Sequence, residues 1–188
     1  MTRWSIAFPI LSLIALTCAA QDVPPPPKPA DDGPSLTDTM KFIEEKLGSI
    51  GRVNYVWHAH DDANGTDEMS KFGVEISNVR TSVQGCRIDY HKWLNWERSS
   101  LFEKDAWVAL KNVQEVVVET REHAFNEFDS KAGHPERTSR VDPPVFVIRA
   151  REKIEHQFYL YDESLAHRIA KALVHAVELC GGGSKEPF

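Results

Sequence analysis

The sequence predicts an α+β fold: about seven antiparallel strands in a partly closed β-barrel or roll, with an N-terminal helix and a C-terminal capping helix. Three observations carry this reading. Apolar residues recur at helical spacing near the two ends of the folded stretch, through Leu36, Met40, Ile43 and Leu47, and again through Leu165, Ile169, Leu173 and Val177. Between them, apolar and polar residues alternate in short runs, the period of a strand with one buried face. Asn-Gly, Gly and Pro separate those runs, which keeps the strands short. A run of strands closed by a terminal helix is an α+β layout rather than an alternating α/β one.

Length and composition fit one domain with appendages. The chain has 188 residues, 41% hydrophobic and 27% charged, the balance of a globular protein. A net charge of −6 argues against nucleic acid as a partner, because phosphate binding draws on a basic excess. Residues 1–20 read as an export signal. Arg3 supplies the positive start, residues 6–16 an apolar run too short to span a bilayer, and Thr17-Cys18-Ala19-Ala20 a zone of small residues. Two outcomes stand for that zone. Cleavage after Ala20 leaves a periplasmic or secreted chain and, with Arg3 gone, takes the net charge from −6 to −7. Lipidation of Cys18 leaves a membrane-anchored lipoprotein instead, although Thr17 suits the position before such a cysteine poorly. No segment is expected to cross the membrane in the mature chain. Residues 21–35 form a linker in which successive prolines favour extended polyproline II.

The folded part, 36–181, follows in order. The first helix runs over "SLTDTMKFIEEKLG" and stops at Gly48. In "RVNYVWHAH", Val53, Tyr55, Trp57 and Ala59 alternate with Asn54, Val56, His58 and His60, a half-buried strand. Asn64-Gly65 centres a hairpin turn, and Phe72, Val74 and Ile76 alternate on the return strand. "GCRIDYHKWLNW" places Cys86, Ile88, Tyr90, Leu94 and Trp96 on one face and Arg87, Asp89 and His91 on the other. "AWVALKNVQEVVVE" holds two strands around Lys111-Asn112. A polar excursion over 120–142 contains one short helix, around Ala124, Phe125 and Phe128 and ended by Gly133. "VFVIRA" and "EHQFYLY" form the last strand pair, a long amphipathic helix follows, and residues 182–188 make a flexible tail.

The string "FYLYDESLAHRIAKALVHAVELC", a strand running straight into an amphipathic helix, resembles the last strand and capping helix of pleckstrin-homology-like domains. "LKNVQEVVV" is similar to the middle strands of such domains in exported bacterial proteins. The resemblance implies a single domain over about residues 50–181. It does not carry over lipid-headgroup binding. The matching first loop, "HDDANGTDEMSK", holds Asp61, Asp62, Asp67 and Glu68 where phosphate binding needs Lys and Arg.

Candidate chemistry falls in two places. His58 and His60 project to the same side of a strand and Asp62 follows, the beginning of a divalent metal site that still needs further ligands. A solvated polar face explains the same pattern. The 120–142 excursion carries Arg121, His123, His134, Arg137 and Arg140, all able to hold a polar ligand, and long connections are often functional. An inserted surface loop is the plain alternative. The chain has neither a Gly-x-Ser-x-Gly nucleophile turn nor a His-Glu-x-x-His helix, so no catalytic residue and no cofactor is expected. The expected function is thus an exported, non-catalytic binding or scaffold domain for a protein or small polar ligand. A metal-binding protein or metal-dependent enzyme using His58, His60 and Asp62 is the alternative.

Projection of the last helix places Cys180 on its apolar side, and Cys86 shares its strand face with Ile88 and Tyr90. In an oxidising compartment the two predict a disulfide; two buried free thiols are the alternative. Gly181 suits the left-handed residue that ends a helix.

Overall fold

The structure, a computed structural model, describes residues 33–97 and 102–183. The expected signal, Cys18, most of the linker and residues 184–188 of the tail lie outside the described residues. Helix α1 (Leu36–Gly48) begins where the Ser35 hydroxyl accepts from the Asp38 amide, and it buries Met40, Ile43 and Leu47 as its spacing predicts. Strands β1 (Arg52–Asp61), β2 (Thr66–Ser82), β3 (Arg87–Trp96) and β4 (Phe102–Ala109) follow, then a short 3₁₀ turn at Leu110–Asn112. β5 (Glu115–Thr120), α2 (Arg121–Lys131), β6 (Arg137–Asp142), β7 (Phe146–Arg151), β8 (Glu155–Leu160) and α3 (Glu163–Leu179) complete the order.

Among the described residues the α+β class holds, and the barrel does not. Eight strands form two open antiparallel sheets, a five-stranded one ordered β4-β3-β2-β1-β6 and a three-stranded one ordered β5-β7-β8. The break comes at the 3₁₀ turn, after which β5 leaves its sequence neighbour β4 and pairs with β7. Alternation identifies a strand but carries no information about its partner.

The extra strand is β6, inside the stretch expected to hold only a short helix. Its sequence hides it, because "RTSRVD" places a single apolar residue, Val141, on the inward face. Ser139 fills the other buried position and accepts a hydrogen bond from the Trp57 indole at 2.8 Å. As the edge of its sheet, β6 turns unpaired amides outward, and α2 covers them. Asn126 Oδ1 accepts from the Ser139 amide at 2.7 Å, and Glu122 Oε2 takes the Val141 amide at 3.4 Å. A polar helix face substitutes for a strand there, which protects the edge from pairing with another chain.

The small sheet is buried on both sides. Ile148 and Phe158 pack with α1, α3, Ile76, Ile88 and Val108, while Val147 and Tyr159 pack against Val53, Tyr55, Trp57 and Val74 of the large sheet. Two-sided burial explains why "VFVI" and "FYL" read as nearly continuous apolar runs. Helix α3 crosses the small sheet and buries Ile169, Leu173, Ala176 and Val177. Its end is tied down. Cys180 forms the predicted disulfide with Cys86, Cα atoms 5.8 Å apart. Gly181 ends the helix at φ +76°. Gly182 packs so tightly on the 3₁₀ turn that a Cβ there would lie 2.4 Å from the Leu110 carbonyl oxygen. The Gly183 amide donates to the Val113 carbonyl at 2.8 Å. The first two residues of the expected free tail are therefore docked onto the domain.

Candidate functional site

Helix α2 lies over the junction of the sheets, and a cavity of about 370 Å³ opens between its underside and β7–β8. Thr120 caps the helix by accepting from the His123 amide, which fixes Arg121 as the first helical residue. From there the Arg121 side chain turns inward. Its Nε donates to the Tyr55 hydroxyl at 3.2 Å, and its guanidinium lies 4.1 Å from the Phe125 ring centre and 5.6 Å from that of Tyr159. Arg149, on the floor, donates to Glu119 at 2.6 Å and stands 3.2 Å from Glu155 and 3.5 Å from Glu127. Gln157 completes the floor, and the Tyr159 hydroxyl donates to its amide oxygen. Burial pushes the Tyr55 phenol up to about 12, so it stays a neutral partner for Arg121.

The five residues expected to hold a ligand do not converge. Arg121 alone lines this cavity. His123 is exposed, and His134 is exposed with its Nδ1 3.3 Å from Glu136. Arg137 donates to Glu68 at 3.0 Å, stacks over Trp57 and reaches toward the buried Asp129 at 3.9 Å, a structural tie beneath α2. Arg140 projects from the other face of the large sheet, directly across from His58. There it joins His58 and His60 along a shallow hollow of about 280 Å³. His60 sits 2.8 Å from Asp67 and 3.4 Å from Asp62, and the hydrogen bond with Asp67 raises its pKa. Among the described residues no group of three or more His, Cys, Asp or Glu side chains is gathered to hold a metal ion. His58, His60 and Asp62 are not brought together as a ligand set.

The tryptophans divide. Trp57 is buried, whereas Trp96 is 39% and Trp107 57% exposed. Trp93 lies on the outer face under the Arg52 guanidinium, 4.0 Å from its ring centre, and covers Gly73, where a Cβ would come within 3.0 Å of that ring.

One residue that alternation implies, and that the pattern reading passes over, is Lys92. It sits in the inward register of β3 between buried Tyr90 and half-buried Leu94. Its ammonium rests 5.5 Å from the centre of the Tyr159 ring, the ring that Arg121 also approaches. Lys104 is its cross-strand partner on β4. Burial, then repulsion from Lys104 and Arg121, lowers the Lys92 pKa to about 8, against a smaller opposing pull from Glu155. Deeper in the same space, His156 is 3% exposed. Its Nδ1 meets the Tyr90 hydroxyl at 2.9 Å and its Nε2 meets Glu152 at 2.7 Å. Burial holds His156 below the ordinary histidine range and pushes Tyr90 up to about 12. The buried Tyr90–His156 pair, closed off by Glu152, joins β3 of the large sheet to β8 of the small one.

Fold and site together define an α+β domain with a polar, aromatic-walled cleft between α2 and the small sheet. Comparison with protein-family models, curated proteins and solved structures found no match.

Proposed function

We propose that the chain is an exported, non-catalytic binding domain that seats a small polar ligand in the cleft beneath α2. The carrying observation is the preorganised cavity lined by Arg121, Phe125, Arg149 and Gln157, whose charged side chains are fixed by Tyr55, Glu119 and Glu155. A ligand entering it meets donors and aromatic walls already in position, which lowers the entropy lost on binding. Export agrees with the disulfide and with the signal read in residues 1–20. Kinship with pleckstrin-homology-like domains stays part of the proposal through the β8–α3 element order alone, and it supplies no ligand. The metal-dependent alternative has no comparable observation behind it.

The test is a ¹H–¹⁵N spectral screen of the oxidised protein against a library of small polar compounds. Saturable shifts at Arg121, Phe125 and Gln157, lost in Arg121→Ala, are expected. A screen that moves no resonance of the cleft refutes the reading.

A further inference from the structure

The inward face of the large sheet extends past the small sheet at the β3–β4 end, and its chemistry there is unusual. Leu94 and Phe102 are cross-strand partners in the row beside Lys92 and Lys104. Phe72 and Trp96 are partners in the next row and stack with ring centres 5.8 Å apart. Phe102 is 44% exposed, although it faces the same way as the buried Val108 two positions beyond Ala106. An apolar strip thus leads away from a group of cations.

Neither lysine of that group has a paired carboxylate among the described residues, whereas Arg121 is drawn to Glu119. Among the described residues no hydrogen bond or ion pair engages the Lys92 or Lys104 ammonium; each makes only a ring contact, with Tyr159 and Phe102 respectively. Glu155, the carboxylate of β8 that acts on Lys92, is taken up by Arg149 and by a hydrogen bond from Gln157. Glu103 and Asp105 of β4 are bound to His91 on the opposite face. A half-buried ammonium beside two more cations is a position that an anion relieves.

We infer that this face binds a free organic anion with an apolar body, its carboxylate seated by Lys92, Lys104 and Arg121 and its body lying along Leu94, Phe102 and Trp96. The distance from Lys92 to Trp96 is four residues of strand, about 13 Å, which sets the body as a medium-length alkyl chain or a fused aromatic system. The inference rests on the binding reading above and names the ligand class for a seat adjoining the same cleft.

The experiment titrates the oxidised full chain with decanoate below its micellar concentration, and in parallel with decyltrimethylammonium and inorganic phosphate, following Trp fluorescence and calorimetric heat. One decanoate per chain is expected, with phosphate and the cation at least about tenfold weaker. Lys92→Met should weaken decanoate by about tenfold or more, and Lys92→Arg should restore much of it. Phe102→Ser should weaken it, while Trp107→Ala on the other face should not. Equal binding of the two alkyl ions overturns the inference, as does an equal loss from Trp107→Ala. Preference for phosphatidylglycerol vesicles over free decanoate also overturns it. If no alkyl ion binds but the polar screen still moves the α2 cleft, this inference fails alone; if neither responds, the binding reading fails with it.

Discussion

Replacing Cys86 and Cys180 together by alanine removes a cross-link that closes 94 residues of chain. Helix α3 keeps its buried contacts through Ile169, Leu173, Ala176 and Val177, so the folded state persists and the change falls mainly on the unfolded ensemble. On the chain-entropy model a loop of that length is worth about 4.7 kcal/mol at 25 °C, a large part of the total stability of a domain this size. The melting temperature should drop by about 10–15 °C. Urea unfolding of the variant and the wild type, each fitted for midpoint and slope, checks this. The variant should unfold at lower urea with an equal or steeper slope, since its unfolded chain is freer to expose surface. A loss under about 1 kcal/mol, with amide exchange raised only in the last turn of α3, would show that the bridge restrains a fraying helix end and would falsify the loop-closure argument. Free-thiol titration of the unfolded wild type should find neither Cys86 nor Cys180 reactive.

Three further outcomes follow from the packing. Gly182→Ala forces a methyl to within 2.4 Å of the Leu110 carbonyl oxygen and should destabilise by about 1–3 kcal/mol in urea melts, whereas Gly48→Ala, with open space around it, should not. Lys92→Met should raise stability at pH 7 by about 2–3 kcal/mol, because it removes a charge whose folded pKa is about 8 against an ordinary 10.5. The wild type, but not the variant, should also gain stability between pH 8 and 10.5, where the unfolded chain still holds the proton; a less stable variant would sink this account. His156 has its folded pKa lowered by burial, so its contribution is complete above about pH 6.5 and is lost as pH falls through the folded value. Urea midpoints from pH 8 down to 5 should therefore decline more steeply in the wild type than in His156→Gln. His60 and His91, raised by their carboxylate partners, act in the opposite direction, but as exposed pairs they act weakly. A wild-type midpoint that stays flat would count against a buried neutral His156.

The sequence by itself determined what depends on neighbours along the chain. The apolar faces of α1 and α3, and the glycine that ends α3, were legible because a helix satisfies its own backbone bonds, so its period specifies it locally. The inward faces of β1, β2 and β3 were legible from alternation, and so was the pairing of Cys86 with Cys180, although Cys86 lies in the turn before β3 at φ +46° and not on the strand face expected for it. Only the tertiary structure decided which strands pair. β5 leaves β4 for β7, and β6 exists as a strand because β1 lies on one side of it and the polar face of α2 on the other. The candidate site was the least legible part. Arg121 was legible as one of the polar candidates of the 120–142 excursion, and Lys92 showed itself only as a lysine in an apolar register. Their meeting across one Tyr159 ring joins β3, α2 and β8. Strand pairing and cleft chemistry are long-range properties: their free energy is set by groups far apart in sequence, and no local period records which groups those will be.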